Sequence, residues 1–216
     1  SLAQRGATSR ASLRSLLKRV DALHPLDQPL QAQHIQELPR EVHKKGDHHG
    51  QFDARPLLAP LAAGHDMGLA SEAGMPAVAD PGSSVVRAAH SLGLSVVPLI
   101  GPVSLLLALA ASGLNGQSFA FVGYLPQDSA ERSKRIRELE SLAAKTGQTQ
   151  IFIETPYRNA ALLQALLQTL QANTRLAISS GLTLATAQSR SAPVSQWKKQ
   201  SGGPNNNTPA VYAIGP

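Results

Sequence analysis

Apolar residues in this chain fall into two kinds of pattern, helical spacing and short unbroken runs, and the two alternate. Leu13, Leu16, Leu17 and Val20 share one helical face, with Arg10, Arg14, Lys18 and Arg19 opposite, which predicts a basic amphipathic helix over Ser1–Asp21. His24–Asp53 is polar and broken by Pro25, Pro29, Pro39, Gly46 and Gly50, the mark of a loop. A short helix over Arg55–Ala63, stopped by Gly64, leads to a strand over Met67–Ser71. Val85, Val86, Ala89 and Leu92 recur at helical spacing, so Ser83–Leu92 is predicted helical with Gly93 as its stop. The near-continuous run Leu94–Leu99 predicts a parallel strand buried on both faces. Pro102 can open the next helix, and Val103–Ser112 is apolar all round, which predicts a buried helix.

Gly113-Leu-Asn-Gly-Gln117 interrupts this rhythm and is the expected domain boundary, giving domains 1–115 and 116–216. Beyond it, Phe119–Gly123 reads as a strand. Ala130–Ala144 reads as a helix with Ile136, Leu139 and Leu142 inward and Arg132, Lys134, Arg135 and Arg137 outward. Gln150–Glu154 is a predicted strand, and Thr155 is placed to cap a helix starting at Pro156. Leu162, Leu163, Leu166, Leu167 and Leu170 form that helix's buried stripe. Arg175–Ser179, Leu182–Ser189 and Ala210–Ile214 are the remaining predicted strands, with a loop over Ser201–Thr208. Alternation of strand and helix predicts an α/β protein with right-handed crossovers.

Composition narrows the classes. At 216 residues and 42% hydrophobic content the chain can bury a sizeable core. Cysteine is absent, which excludes disulfides and thiolate metal sites and is consistent with the cytoplasm. Aromatic residues make up only 4%, so stacking platforms for bases are not evident. The net charge is +6, with a pI near 10.0, which suits a phosphate-rich partner such as RNA. The basic face of the first helix has two readings, a surface for phosphates or an ordinary solvated face. The opening residues Ser1-Leu-Ala-Gln-Arg5 lack the apolar core of a signal peptide, and the run Val103–Ala111 is too short to cross a bilayer. His43, Asp47, His48 and His49 carry ligand-type side chains, but adjacent histidines on a glycine-flanked loop have no fixed geometry, so no metal is expected.

The densest chemistry lies in Ser71-Glu-Ala-Gly-Met-Pro-Ala-Val-Ala-Asp-Pro-Gly82. A strand, a glycine-rich loop and a helix N-terminus follow in that order, an arrangement that offers unpaired N–H groups to an anion. Ser71-Glu-Ala-Gly-Met-Pro76 with Ala79-Asp-Pro-Gly82 resembles a signature segment of the tetrapyrrole (corrin/porphyrin) methylase superfamily, in the branch related to the ribosomal RNA small subunit 2′-O-ribose methyltransferase. The resemblance continues, in order, through Val96–Ser104, Ala110–Leu114, Phe121–Pro126 and Phe152–Arg158.

That resemblance implies a two-domain α/β fold, with a mainly parallel sheet in the N-terminal domain and a mixed sheet in the C-terminal one. By this resemblance the chain begins at the family's second helix, so the family's first strand is expected to be missing. Further implications are S-adenosylmethionine as methyl donor in a cleft between the domains, RNA as substrate at a ribose 2′-hydroxyl, and a cytoplasmic homodimer. Methylation of a tetrapyrrole or other small molecule, or RNA binding without catalysis, are the alternatives. By the same analogy the cofactor is held by Ser71, Ala73, Gly74, Ala79, Asp80, Pro81 and Gly82, by Pro102, Val103 and Ser104, by Gly123, Tyr124 and Leu125, and by Pro209 and Ala210. Asp80 has two readings, a cofactor ligand or a cap for the helix after it. Glu72 and Glu154 are the candidate acceptors of the ribose proton, and Tyr157 and Arg158 the candidate substrate contacts. Arg158 can instead pair with Glu154. Tyr157 stands where the family often has histidine, Glu72 where it usually has aspartate, and Ala187 where a carboxylate is expected.

Overall fold

The computed structural model describes residues 4–7 (backbone only), 10–39, 42, 52–71, 75–200 and 202–216. The chain divides into two compact units, Ser1–Pro102 and Val103–Pro216.

In the first unit, β1 (Gln4–Ala7) lies between β2 (Ile35–Glu37) and β3 (Met67–Ala70), parallel to both. The helix predicted from Ser1 starts only at Arg10 (α1, Arg10–Leu23), so the expectation that no strand precedes it is corrected. Pairing on both sides supplies the ladder bonds that the local sequence does not advertise. Leu13 and Leu17 of α1 bury against Ile35, with Leu26, Leu30 and Ala70 alongside. A second cluster joins Leu38, Ala54, Leu58, Val85, Ala88 and Ala89. It is built by a 3₁₀ turn (Arg55–Leu58) that runs into the short α2 (Ala59–Ala62), and by α3 (Ser83–Ser91).

The predicted strand Leu94–Leu99 does not form. Residues 94–103 carry no regular structure, and Val97, Leu99 and Ile100 are 72%, 80% and 106% exposed. An apolar run permits a buried strand but does not supply the neighbouring strand it needs. Only Leu94 packs against the cluster below.

The second unit is a five-stranded mixed sheet in the order β4-β5-β8-β6-β7. The strands are β4 (Phe119–Tyr124), β5 (Thr149–Glu154), β6 (Arg175–Ser180), β7 (Gln188–Pro193) and β8 (Ala210–Gly215). β4 and β5 run parallel, and β8 is antiparallel to both β5 and β6. The helix α4 (Ser104–Ser112) packs on β8, β6 and β7, which is why the division of the chain falls ahead of it. It starts after Pro102, with Val103 as its N-cap, and is not buried all round: Leu105, Ala108 and Leu109 are buried, while Leu106 is 49% exposed.

The core is formed by α5 (Ser129–Thr146), α6 (Asn159–Thr169) and the strands, around the fully buried Ile136, Phe152, Leu166, Leu176, Tyr212 and Ile214. Phe152 and Tyr212 stack across the β5–β8 pair, with ring centroids 5.8 Å apart. Leu142, predicted inward, is 43% exposed. The predicted strand over Leu182–Ser189 is a turn through Ala187, with left-handed backbone at Gly181 and Thr183, and the strand begins at Gln188. The short α7 (Val194–Trp197) follows, and Trp197 donates from Nε1 to the Leu176 carbonyl at 2.8 Å.

Candidate functional site

In the first unit the site residues form a turn over the C-terminal end of β3, where open α/β sheets usually hold ligands. The Ser71 hydroxyl donates to the Asp80 carboxylate, which ties the first residue after the strand to the far side of the loop. Ala77 donates its N–H to the Pro81 carbonyl at 3.3 Å and Val78 to Met75 at 3.3 Å. Three residues here hold positive φ: Ala77 at 66°, Ala79 at 57° and Gly82 at 142°. Two alanines in the left-handed region are a local cost, of the kind found where function fixes a backbone. Gly82 is dictated by space as well. A Cβ there would lie 3.0 Å from the Ala77 nitrogen and 3.0 Å from Leu69 Cδ2. Gly82 is also the N-cap of α3, so the turn runs directly into the start of that helix. Asp80 is thus held by Ser71 inside the turn. Glu72, Ala73 and Gly74, and the His43–His49 cluster, lie outside the described residues.

In the second unit, strand directions gather the remaining candidates at one end of the sheet. β4 and β5 are parallel, so Tyr124 and Glu154 finish at the same end. β8 opposes Ala210 to Glu154, and β6 opposes Ser180 to Ala210. Leu114, just past α4, lies against Gly215 at the other end, so Val103 and Ser104 begin α4 toward the end that carries Glu154. Gly123, at φ 73°, sits where the β4–β5 register shifts, and it turns Tyr124 outward to 60% exposure while Leu125 is buried. Pro209 is exposed and Ala210 buried.

Glu154 has a side chain only 1% exposed, and Arg158 Nη2 lies 3.1 Å from its Oε2. Thr155 does not cap the following 3₁₀ turn (Pro156–Arg158). Its N–H donates to Glu154 Oε1 at 2.8 Å, and its hydroxyl does so at 3.2 Å. The structure thus brings Glu154 and Arg158 together, while Tyr157 projects at 71% exposure. Burial, and then the charge of Glu154, push the Tyr212 phenol above its ordinary value, so it stays a neutral donor. That donor reaches Asn159 Oδ1 at 3.0 Å.

Asn159 and Tyr212 are the polar residues that sequence reading left without a role. Asn159 directly follows the Phe152–Arg158 segment, and a polar residue at the head of an apolar helix was the available signal. No group of acidic or histidine side chains suited to a metal occurs among the described residues, and no described helix is long and apolar enough to cross a membrane.

A family model for the tetrapyrrole (corrin/porphyrin) methylases matches residues 7–197, and the chain belongs to that family. Its curated relatives include proteins named ribosomal RNA small subunit methyltransferase I. The one from Vibrio cholerae is 38% identical over 137 residues, 63% of this chain and 46% of that protein. The Bacillus subtilis protein is 35% identical over 156 residues, 71% of this chain and 52% of that protein. The Escherichia coli O157:H7 protein is 33% identical over 157 residues, 71% of this chain and 54% of that protein. The chain thus spans about half the length of the curated relatives it matches. Among solved structures, that of the methyltransferase CobJ superposes with a TM-score of 0.53 at 16% identity, covering 100% of this chain and 94% of that one, so the fold is shared.

Proposed function

We propose that this chain is a methyltransferase that uses S-adenosylmethionine and acts on RNA, at a ribose 2′-hydroxyl of ribosomal RNA. The observation that carries the reading is the Ser71–Asp80 hydrogen bond, which fixes a left-handed turn at the head of α3. Its donor set fits the cofactor: a carboxylate and a hydroxyl accept from amino and ribose hydroxyl groups, and glycine lets backbone come close. The similarity to ribosomal RNA methyltransferases supports the choice of substrate.

In the first unit Ser71, Ala73, Gly74, Ala79, Asp80, Pro81 and Gly82 are proposed to hold the cofactor. In the second unit that role falls to Val103, Ser104, Gly123, Tyr124, Leu125, Pro209 and Ala210, with Pro102 just ahead of them. The bound cofactor supplies an already activated methyl group, so the residues mainly align it with the nucleophile. Such positioning can be worth an effective molarity on the order of 10⁵ M. Glu72 and Glu154 are the proposed proton acceptors. Glu154 is also committed to Arg158 and Thr155, so it serves at least to set the arginine. Arg158, with its side chain 18% exposed, and Tyr157 are the proposed contacts to RNA phosphate and sugar. The same reading carries two α/β domains, a cytoplasmic location and a homodimer.

Isothermal titration of the full chain with S-adenosylhomocysteine tests cofactor binding, and transfer of labelled methyl from S-adenosylmethionine to small-subunit ribosomal RNA tests the substrate. Absence of binding ends the reading. Transfer to a porphyrinogen in place of RNA would move the chain to small-molecule methylation, and RNA binding without turnover would make it non-catalytic.

A further inference from the structure

Asn159 is 0% exposed and occupies the first position of α6, where its amide is surrounded by groups from a distant loop. Its Nδ2 donates to the carbonyl of Asn205 at 2.8 Å and to that of Thr208 at 2.9 Å. Its Oδ1 accepts from the Tyr212 hydroxyl at 3.0 Å. One side chain therefore uses both its donors on the loop and its acceptor on β8, the strand that the loop enters. The neighbouring contacts repeat the link. Asn206 Oδ1 accepts from the Ala160 N–H at 3.1 Å, satisfying an otherwise open group in the first turn of α6. Gly203 lies so close to the helix that a Cβ there would fall 2.4 Å from Leu163 Cδ2. Asn207 closes the turn by donating its N–H to Asn205 Oδ1 at 2.9 Å.

Loops rich in glycine and asparagine are ordinarily loose. This one is fastened at several points, and the fastened stretch ends one residue before Pro209 and two before Ala210. Ala210 stands opposite Glu154 and Ser180 at the site end of the sheet. A buried asparagine with both halves of its amide used is costly to leave half-satisfied, so it accepts only one position of the loop.

We propose that Asn159 is a positioning residue: it clamps the 205–208 loop onto the head of α6 and so sets the backbone of Pro209 and Ala210 for the cofactor. The inference rests on the methyltransferase reading for its second half, but not for the clamp itself. Asn159→Asp is the variant of choice because it keeps the shape and the acceptor toward Tyr212 while removing both donations to the loop. Tyr212→Phe serves as the variant that leaves those donations in place.

The clamp is read by hydrogen exchange of peptides spanning 202–210 in the full chain. Exchange in Asn159→Asp is expected to rise at least about tenfold, the scale of a single lost hydrogen bond, since two are removed, with Tyr212→Phe nearer to the parent. The positioning is read by titration with S-adenosylhomocysteine and by methyl transfer. The expected split is a Kd and KM about tenfold higher with kcat within about twofold. A core variant, Leu166→Ala, controls for general destabilisation and should leave Kd unchanged at temperatures where it is folded. Unchanged loop exchange in Asn159→Asp overturns the clamp. Faster exchange with unchanged Kd overturns the positioning. If the parent chain binds no S-adenosylhomocysteine, the methyltransferase reading falls, and the exchange result alone still decides the clamp.

Discussion

Arg158 Nη2 lies 3.1 Å from Glu154 Oε2 four residues earlier, with side chains 18% and 1% exposed. Neither atom has an aligned hydrogen bond among the described residues, so charge holds the pair. Removing only the cation leaves a buried carboxylate with no counter-charge and only the Thr155 hydrogen bonds to Oε1. Arg158→Met should therefore destabilise the chain by about 3 kcal/mol, measured by urea unfolding at neutral pH. Glu154→Gln should cost less, because the more exposed arginine can turn to water. Equal and small losses for both would show that the pair is not structurally buried in solution.

Gly82 combines φ 142° with a Cβ position 3.0 Å from two neighbours. Gly82→Ala should cost about 2 kcal/mol through strain and crowding, seen as a lower thermal midpoint. It should also weaken S-adenosylhomocysteine binding, since the turn must open to fit the methyl group. A variant as stable as the parent would contradict the geometry of the turn.

The Ser71–Asp80 bond gives a test that separates ligand binding from folding. Ser71→Ala and Asp80→Asn should each raise the Kd for S-adenosylhomocysteine about tenfold while the circular dichroism spectrum stays that of the parent. Full affinity in both variants would take this turn out of the cofactor site.

Ile100 is 106% exposed and Leu166 is 0% exposed. Ile100→Ser should change stability by no more than about 0.5 kcal/mol, whereas Leu166→Ala should cost about 3 kcal/mol through the cavity it leaves. Denaturant midpoints of the two variants check both values. A large loss at Ile100 would mean that the 94–100 run is packed as a strand after all.

Asp53 offers a titration. Its carboxylate accepts from Arg55 Nε at 2.8 Å and from the Arg55 N–H at 3.0 Å, and these bonds lower its pKa from 3.8 to about 2. The folded value lies below the unfolded one. The contribution to stability is therefore present above 3.8 and is lost as the pH falls through about 2. Both groups are exposed, so the effect is small and screened by salt. A carboxylate resonance for Asp53 titrating near its ordinary value would show that the pair does not form in solution.

The stretch Phe152–Arg158 shows how far a linear reading reaches. Strand β5 and the leucine stripe of α6 follow from spacing, whereas the helix expected from Pro156 opens with a 3₁₀ turn and becomes α-helical only at Asn159. The role of Thr155 does not follow from spacing, because its hydroxyl could accept from a helical N–H as a cap or donate to a carboxylate, and only the folded position of Glu154 chose between them. Leu94–Leu99 shows the opposite case. Its hydrophobicity reads as a strand, yet a strand exists only where a neighbour offers a ladder, and β1 was missed for the same reason from the other direction.

By itself, the order of residues determined the family and most of the alternation of helix and strand. Those depend on local spacing and on motifs that stay together along the chain. Tertiary structure alone decided that Ser71 meets Asp80, that Glu154 is spent on Arg158, and that Asn159 reaches across 46 and 49 positions to Asn205 and Thr208. Such pairings are set by strand direction and by the need of buried polar groups for partners, and neither is written in any one stretch of sequence.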